Sequence, residues 1–141
     1  ANSLIVGGLK TGMQVSVACP EGYRPDSRVL DFANNYAGFS MFTEPMEAAS
    51  GADVIFTDVW ASMGQEGEAE ERKKIFGGKY QVNKELLAVA NSGCMVQHCL
   101  PAHRGEEITA DVFESHADEI FDEAENRLHA QKAVMVTLME K

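Results

Sequence analysis

The sequence predicts an α/β fold, in which a doubly wound, mostly parallel sheet is covered by helices on both faces within a single domain. Three observations predict it. Short apolar, β-branched runs alternate with segments of helical periodicity. The run Val54-Ile55-Phe56-Thr57 is almost wholly apolar, as expected when both faces of a parallel sheet are covered. The joins are short, which favours right-handed crossovers between successive strands.

Composition limits the possible ligands and partners. The chain has 141 residues and 45% hydrophobic content, enough for one sizeable core, so residues 1–141 are predicted to form one domain. A net charge of -10 disfavours binding to nucleic acid or to an anionic membrane. No apolar run reaches membrane-spanning length. The three cysteines are an odd number, which favours a reducing compartment such as the cytoplasm over a disulfide framework.

The first half of the chain contains three predicted helix-and-strand units. The opening helix carries Leu4, Ile5, Gly8 and Leu9 on one face and ends near Gly12, because glycine suits the left-handed cap. The elements predicted after it are a strand at 14–19, a helix at 25–33, a strand at 39–43, a short helix at 44–50 and a strand at 54–57.

The second half begins with an irregular loop at 58–67 that carries the only tryptophan, Trp60. Asn83 and Thr109 are predicted helix caps. The predicted elements are helices at 68–76 and 83–90, a fourth strand leading from Cys94 into Cys99, a short helix at 109–114, a brief edge strand at 119–121 and a long closing helix at 123–141.

The architecture also predicts a strand that the 141 residues do not supply. In the doubly wound order, the opening helix follows a parallel strand, which lies centrally between the strands at Val15 and Val54. The closing helix is apolar around much of its girth between Ala133 and Met139, and such a surface needs a partner. We therefore expect this chain to be a piece of a larger protein and to be aggregated, swapped or unstable alone.

Two loops follow strands of the predicted sheet, one from Asp58 and one from Cys99. The carboxyl ends of parallel strands share one edge, where ligands of open α/β sheets bind, so these loops are expected to converge with Ser62, Met63 and His103. Each residue taken singly also has a plainer interpretation. Asp58 would be a turn acid, and Cys99 would be a small buried hydrophobe.

The sequence could also contain a zinc site or a dinucleotide site. Cys94, His98, Cys99 and His103 are all possible zinc ligands. However, the 94–98 spacing spans about 13 Å on a strand, whereas two ligands of one zinc ion each lie about 2.0–2.3 Å from it. A regular strand would also point Cys94 and Cys99 to opposite faces. A metal site is therefore disfavoured. A dinucleotide site is disfavoured because no glycine-rich turn joins a strand to a helix.

The two loops together resemble a known family. Asp58-Val59-Trp60-Ala61-Ser62-Met63-Gly64 and His98-Cys99-Leu100-Pro101 are similar to the two signature segments of the ornithine carbamoyltransferase family. The similarity extends over essentially the whole chain, to Asn126-Arg127-Leu128-His129 in the last helix. It implies the carboxyl-terminal, ornithine-binding half of such an enzyme, without the half that binds carbamoyl phosphate.

The resemblance also implies roles for individual residues in the substrate sites. Asp58, Ser62 and Met63 would hold the α-amino and α-carboxylate groups of L-ornithine. Cys99 would be the catalytic residue that accepts the proton of the δ-amine.

Carbamoyl phosphate would contact Cys99, Leu100 and Arg127. Other functional asparagines of the family would lie upstream of Ala1, so the ornithine site would be incomplete. His98 and His103 would order the loop.

The implied activity is transfer of the carbamoyl group of carbamoyl phosphate to the δ-amine of ornithine, giving L-citrulline and phosphate. It requires no metal and no organic cofactor. The isolated piece would be inactive, and the parent enzyme would be a homo-oligomer, a trimer or a multiple of one. The alternatives are a carbamoyltransferase for putrescine or another amine, and a non-catalytic module that binds a small ligand. Sequence does not distinguish arginine biosynthesis from arginine breakdown.

Overall fold

The computed structural model describes residues 1–61 and 66–140, which form parallel strands covered by helices. The predicted α/β fold is confirmed. Among the described residues, no helix is both long and apolar enough to cross a membrane. The elements are α1 (Asn2–Lys10), β1 (Val15–Ala18), α2 (Ser27–Ala33), β2 (Phe39–Phe42), α3 (Pro45–Ala49), β3 (Val54–Thr57), α4 (Ala69–Phe76), α5 (Lys84–Leu87), β4 (Met95–His98), α6 (Ala110–Ser115) and α7 (Ala117–Met139).

The strands form two parallel pairs. β1 pairs with β2, with Val15 opposite Phe39, and β3 pairs with β4, with Val54 opposite Met95. Within residues 1–61 and 66–140 no strand joins β1 to β3, so each pair has an inner edge without a strand partner. The additional central strand expected between β1 and β3 stays a prediction.

The first pair of strands packs on α1 and α2. Ile5, Leu9 and Ala33 are buried there, with Val15 and Phe39 packed against them. Gly8 permits the close approach of α1, because a Cβ at this position would lie 2.9 Å from Val15 Cγ2. Gly12 has φ +84° and ends the helix in the left-handed region, as its position in the sequence predicts.

The second pair of strands is covered by the carboxyl-terminal helices. β3, β4 and these helices enclose an apolar core cluster, so the strand that leads to Cys99 has a fixed position. The buried residues of this core cluster are Ala49, Ile55, Val82, Leu86, Cys94, Val96, Ile108, Val112, Phe113 and Ile120.

Aromatic contacts show that β1 and β3 end on the same side of the molecule. Tyr23 follows β1 and Trp60 follows β3, and both rings pack on Phe76, with centroids 5.0 Å and 6.0 Å from it. Arg72 joins the same group by donating to the Trp60 carbonyl at 3.1 Å and lying over the Tyr23 ring. The carboxyl ends of the two strand pairs therefore lie at one edge.

Three sequence-based predictions need correction. Residues 119–121 are not an edge strand, because α7 begins at Ala117 rather than at 123 and buries Ile120 while leaving Phe121 exposed. Leu4, predicted on the buried face of α1, is 40% exposed. The helix capped by Asn83 ends at Leu87, three residues earlier than predicted, and the chain then turns towards β4.

Candidate active site at the carboxyl ends of two strands

The parallel register places Asp58 and Cys99 side by side. Thr57 lies opposite His98 in the last pair of the ladder, so Asp58 and Cys99 are the first residues beyond it on neighbouring strands. Neighbouring strands lie about 4.8 Å apart. Both residues are exposed, and Asp58 Oδ1 accepts the Val59 N–H at 2.8 Å, which fixes the carboxylate at the strand end.

The loop after Asp58 is described as far as Ala61. Trp60 is held by its stack on Phe76 and by the Arg72 guanidinium, which ties the loop to α4. Ser62 and Met63, the other residues predicted to bind ornithine, lie outside the described residues.

The loop after Cys99 is organised by His98, whose side chain is fully buried. Its Nδ1 accepts the Leu100 N–H at 2.9 Å, and its Nε2 lies 2.9 Å from Glu107 Oε1. Because Nδ1 accepts, Nε2 carries the proton and donates it to Glu107. Leu100 has φ +50°, an uncommon left-handed conformation for leucine, and its hydrogen bond to His98 helps to hold it.

Glu107 is the second buried polar residue of this loop. Its Oε1 also accepts the His103 N–H, at 2.6 Å. Burial acts to raise the pKa of Glu107, but the hydrogen bonds from His98 and from the His103 amide outweigh it, and the pKa is lowered. The carboxylate is therefore ionised, and it joins both ends of the loop. This geometry fits the loop-ordering roles expected for His98 and His103.

Cys99 sits in an electronegative environment. Partial desolvation first, and then the carboxylates of Asp58 and Glu123, raise the pKa of its thiol. The pKa of Glu123 is itself raised, mainly by burial and in part by Asp58, although the His98 amide and ring act to lower it. Two carboxylates, Asp58 after β3 and Glu123 on α7, thus act on the Cys99 thiol at this edge, which favours a ligand with positive charge.

Helix α7 brings further residues to the site. Glu119, Glu123 and Arg127 follow at intervals of four residues, so they lie along one side of the helix. Glu119 Oε2 accepts the Val96 N–H at 3.0 Å and thereby places this side of α7 along β4. Arg127, predicted to bind carbamoyl phosphate, is exposed one turn beyond Glu123.

The zinc ligands considered from the sequence do not come together as a set. Cys94 lies before β4 and His98 at its end, where both ring nitrogens of His98 are engaged. A different group, His103, Glu106 and Glu107, has ligand atoms within 4.8 Å of one another. Lys73 Nζ already pairs with Glu106 at 2.9 Å and His98 with Glu107, so these carboxylates have partners within the protein.

Several of these residues are not found by sequence reasoning. Glu107 and Glu123 are acids in charged segments, and sequence alone treats such acids as solvent-exposed. One signal was available for His98: it shares strand parity with Val96, which predicts that both face the core.

Fold and site together define the class of protein. It is a parallel α/β domain with a candidate ligand site at the carboxyl ends of two strands, where the carboxylates of Asp58 and Glu123 lie near the thiol of Cys99. A comparison with protein families then gives the family: residues 1–138 match the aspartate/ornithine carbamoyltransferase Asp/Orn binding domain. The chain belongs to the aspartate/ornithine carbamoyltransferase family.

Curated relatives and solved structures agree with this assignment. Ornithine carbamoyltransferase of Thermococcus kodakarensis is 55% identical and aligns with 99% of this chain and 45% of its own length. The anabolic ornithine carbamoyltransferase structure from Campylobacter jejuni has a TM-score of 0.93 at 37% identity, covering 99% of this chain and 47% of that one. The Pyrococcus furiosus ornithine carbamoyltransferase structure has a TM-score of 0.86 at 54% identity, covering 96% and 44%. The chain spans about half the length of the curated relatives it matches.

Proposed function

We propose that this chain supplies the ornithine site of an ornithine carbamoyltransferase, which transfers the carbamoyl group of carbamoyl phosphate to the δ-amine of L-ornithine. The observation that carries the proposal is the alignment of Asp58 and Cys99 at one strand edge within a domain of this family. Asp58 would pair with the α-ammonium group, and Ser62 and Met63 would complete the amino-acid site.

The chemistry needs a neutral amine. The δ-amine resembles that of lysine, whose ordinary pKa lies well above neutral pH, so the site must accept a proton before the amine attacks. A cysteine thiolate is a candidate acceptor, because the ordinary pKa of a thiol lies nearer neutral pH than that of a carboxylate. Attack on the carbamoyl carbon forms a tetrahedral oxyanion and then expels phosphate.

The main chain at Leu100 would contact the carbamoyl group. Arg127 would stabilise the developing negative charge on the transferring group.

We further propose that the longer protein supplies a parallel strand between β1 and β3, and a domain that binds carbamoyl phosphate. One contact supports the position of the strand. Asp26, which follows β1, donates its N–H to Asn2 Oδ1 at 3.2 Å. The start of α1 therefore lies at the carboxyl end of β1, where such a strand would end.

We propose substrates, an oligomeric state and a cellular compartment for the parent enzyme. Its partners are ornithine and carbamoyl phosphate, and it would form a homo-oligomer, a trimer or a multiple of one. Cys19, Cys94 and Cys99 are free thiols, which suits a reducing compartment such as the cytoplasm. A role in arginine biosynthesis is favoured, because the similar enzyme from Campylobacter jejuni is an anabolic ornithine carbamoyltransferase.

Titration calorimetry on the full-length protein containing this chain tests the substrate. L-ornithine should bind in the presence of carbamoyl phosphate, and putrescine should bind much more weakly because it lacks the α-carboxylate. Preference for putrescine would instead favour an amine carbamoyltransferase. Ornithine binding without citrulline formation would favour a non-catalytic binding module.

A further inference from the structure

Helix α7 covers the outer edge of β4, the edge that faces away from β3. Met95 donates its N–H to the Asp53 carbonyl at 2.9 Å, towards β3. Backbone amides alternate in direction along a strand, so the amides of Val96 and His98 point towards α7. These two donors belong to a strand edge that has no strand partner among the described residues.

Two carboxylates of α7 match these two amides. Glu119 Oε2 accepts the Val96 N–H at 3.0 Å. By the same alternation the His98 amide points towards Glu123, which lies one helical turn after Glu119. The spacing fits because two residues of a strand advance about 6.6 Å and four residues of a helix about 6.0 Å. The helix thus places acidic side chains along a strand edge that a neighbouring strand would otherwise occupy.

Glu123 differs from Glu119 in its surroundings. The Oε2 atom of Glu123 is buried and has no hydrogen-bond partner within residues 1–61 and 66–140. A buried carboxylate oxygen without a donor is unfavourable. Glu107 Oε2 is unpaired within the described residues as well, but Glu107 Oε1 holds the His98 ring and the His103 amide. The Glu123 carboxylate lies beside the end of β4, where it acts on the Cys99 thiol.

Two charged side chains face Cys99 from different elements. Asp58 follows β3 and Glu123 extends from α7. Both carboxylates disfavour the thiolate. Of the two carboxylates, Asp58 is the one already proposed to bind substrate.

We propose that Glu123 is a positioning residue of the active site, which holds the last amide of β4 and from there presents a negative charge to the Cys99 thiol. Only the kinetic part of this inference rests on the proposed carbamoyl transfer. The effect on the thiol itself is independent of any substrate.

The test measures alkylation of Cys99 by iodoacetamide against pH, in the full-length protein, with the product quantified on the peptide that contains Cys99. Glu123→Gln keeps an acceptor oxygen and removes the charge. We expect the midpoint of its alkylation curve to move to lower pH, so that Cys99 reacts at least about twofold faster than wild type near pH 7.5. Glu125→Gln is the matched control, because Glu125 is exposed on the same helix and pairs with His129. It should leave the curve unchanged.

Two further variants separate charge from positioning. Glu123→Asp keeps the charge on a shorter side chain, and its midpoint should stay above that of Glu123→Gln. Glu123→Ala removes both the charge and the acceptor, so it should lower kcat at every pH, whereas Glu123→Gln should mainly shift the pH profile of kcat.

An unchanged midpoint in Glu123→Gln, or an equal shift in Glu125→Gln, would overturn the proposal. A wild-type protein that forms no citrulline would refute the proposed function and leave the alkylation result standing.

Discussion

His98 Nε2 lies 2.9 Å from Glu107 Oε1, and neither side chain is exposed to solvent. This contact joins the end of β4 to a residue nine positions later, and the loop between them carries Cys99 and Leu100. The site therefore depends on a buried polar pair. Loss of Glu107 would leave the His98 ring and the His103 amide without their acceptor.

Glu107→Ala should destabilise the protein by about 2–4 kcal/mol, because the His98 ring and the His103 amide both lose their acceptor and unsatisfied buried donors cost about 1–3 kcal/mol each. Chemical denaturation of the full-length protein measures the effect. Glu106→Gln is the control, since its ion pair with Lys73 is open to solvent and should contribute little to stability. Equal losses from the two variants would contradict a special role for Glu107.

Acid should remove the contribution of Glu107. Its pKa is lower in the folded protein than in the unfolded chain, so the stabilisation is complete above the ordinary glutamate range. It is lost as the pH falls from that range through the lowered pKa of the folded state. The free energy of unfolding of Glu107→Gln, followed over the same acid range, should therefore fall less steeply than that of wild type. Parallel curves would show that the folded and unfolded pKa values of Glu107 do not differ.

Cys99→Ala should reduce kcat for citrulline formation by about 100-fold or more, because the thiol accepts the proton of the reacting δ-amine. The KM for ornithine should change by no more than about threefold, because Cys99 does not bind the α-amino or α-carboxylate group. Steady-state kinetics on the full-length protein measures both constants. Cys19→Ala, at the other strand pair, should leave both near wild type. Unchanged turnover in Cys99→Ala would remove this residue from the mechanism.

Asp58→Asn should raise the KM for ornithine by about 10- to 100-fold, because a charge-assisted contact with the α-ammonium group is lost. Asp31→Asn provides the comparison, since Asp31 is exposed on α2, remote from this site in the fold. The expectation fails if the two variants bind ornithine equally well.

The 141-residue chain purified alone should be aggregated or swapped and should form no citrulline, because the inner edges of β1 and β3 have no strand partner among the described residues. The exposed residues Val134, Met135, Leu138 and Met139 of α7 add an apolar surface. Light scattering and thermal melting decide this. A monodisperse monomer with a cooperative melt would show that these edges are tolerated.

The sequence predicts the strands well because Val15–Ala18 and Val54–Thr57 are apolar runs bounded by turn residues. It misassigns residues 119–121 because Ile and Phe favour strands locally, whereas here the surrounding helix and the burial of Ile120 prevail.

In the site, parallel topology predicts that Asp58 and Cys99 lie at one edge of the sheet. Their neighbouring positions depend in addition on the pairing and register of β3 and β4. The buried state of Glu107, next to the half-exposed Glu106, depends on tertiary packing. Adjacent identical residues carry no sequence signal that distinguishes them.

The register of β4 against β3 makes the site and the core subject to the same constraint. Side chains alternate between the two faces of a strand, so inserting one residue within Met95–His98 would turn Val96 or His98 out of the core. The same insertion would move Cys99 away from the position next to Asp58. A change of length inside β4 would therefore disturb both the stability of the core and the chemistry of the site. Among related chains, variation in length should accordingly be absent from this strand.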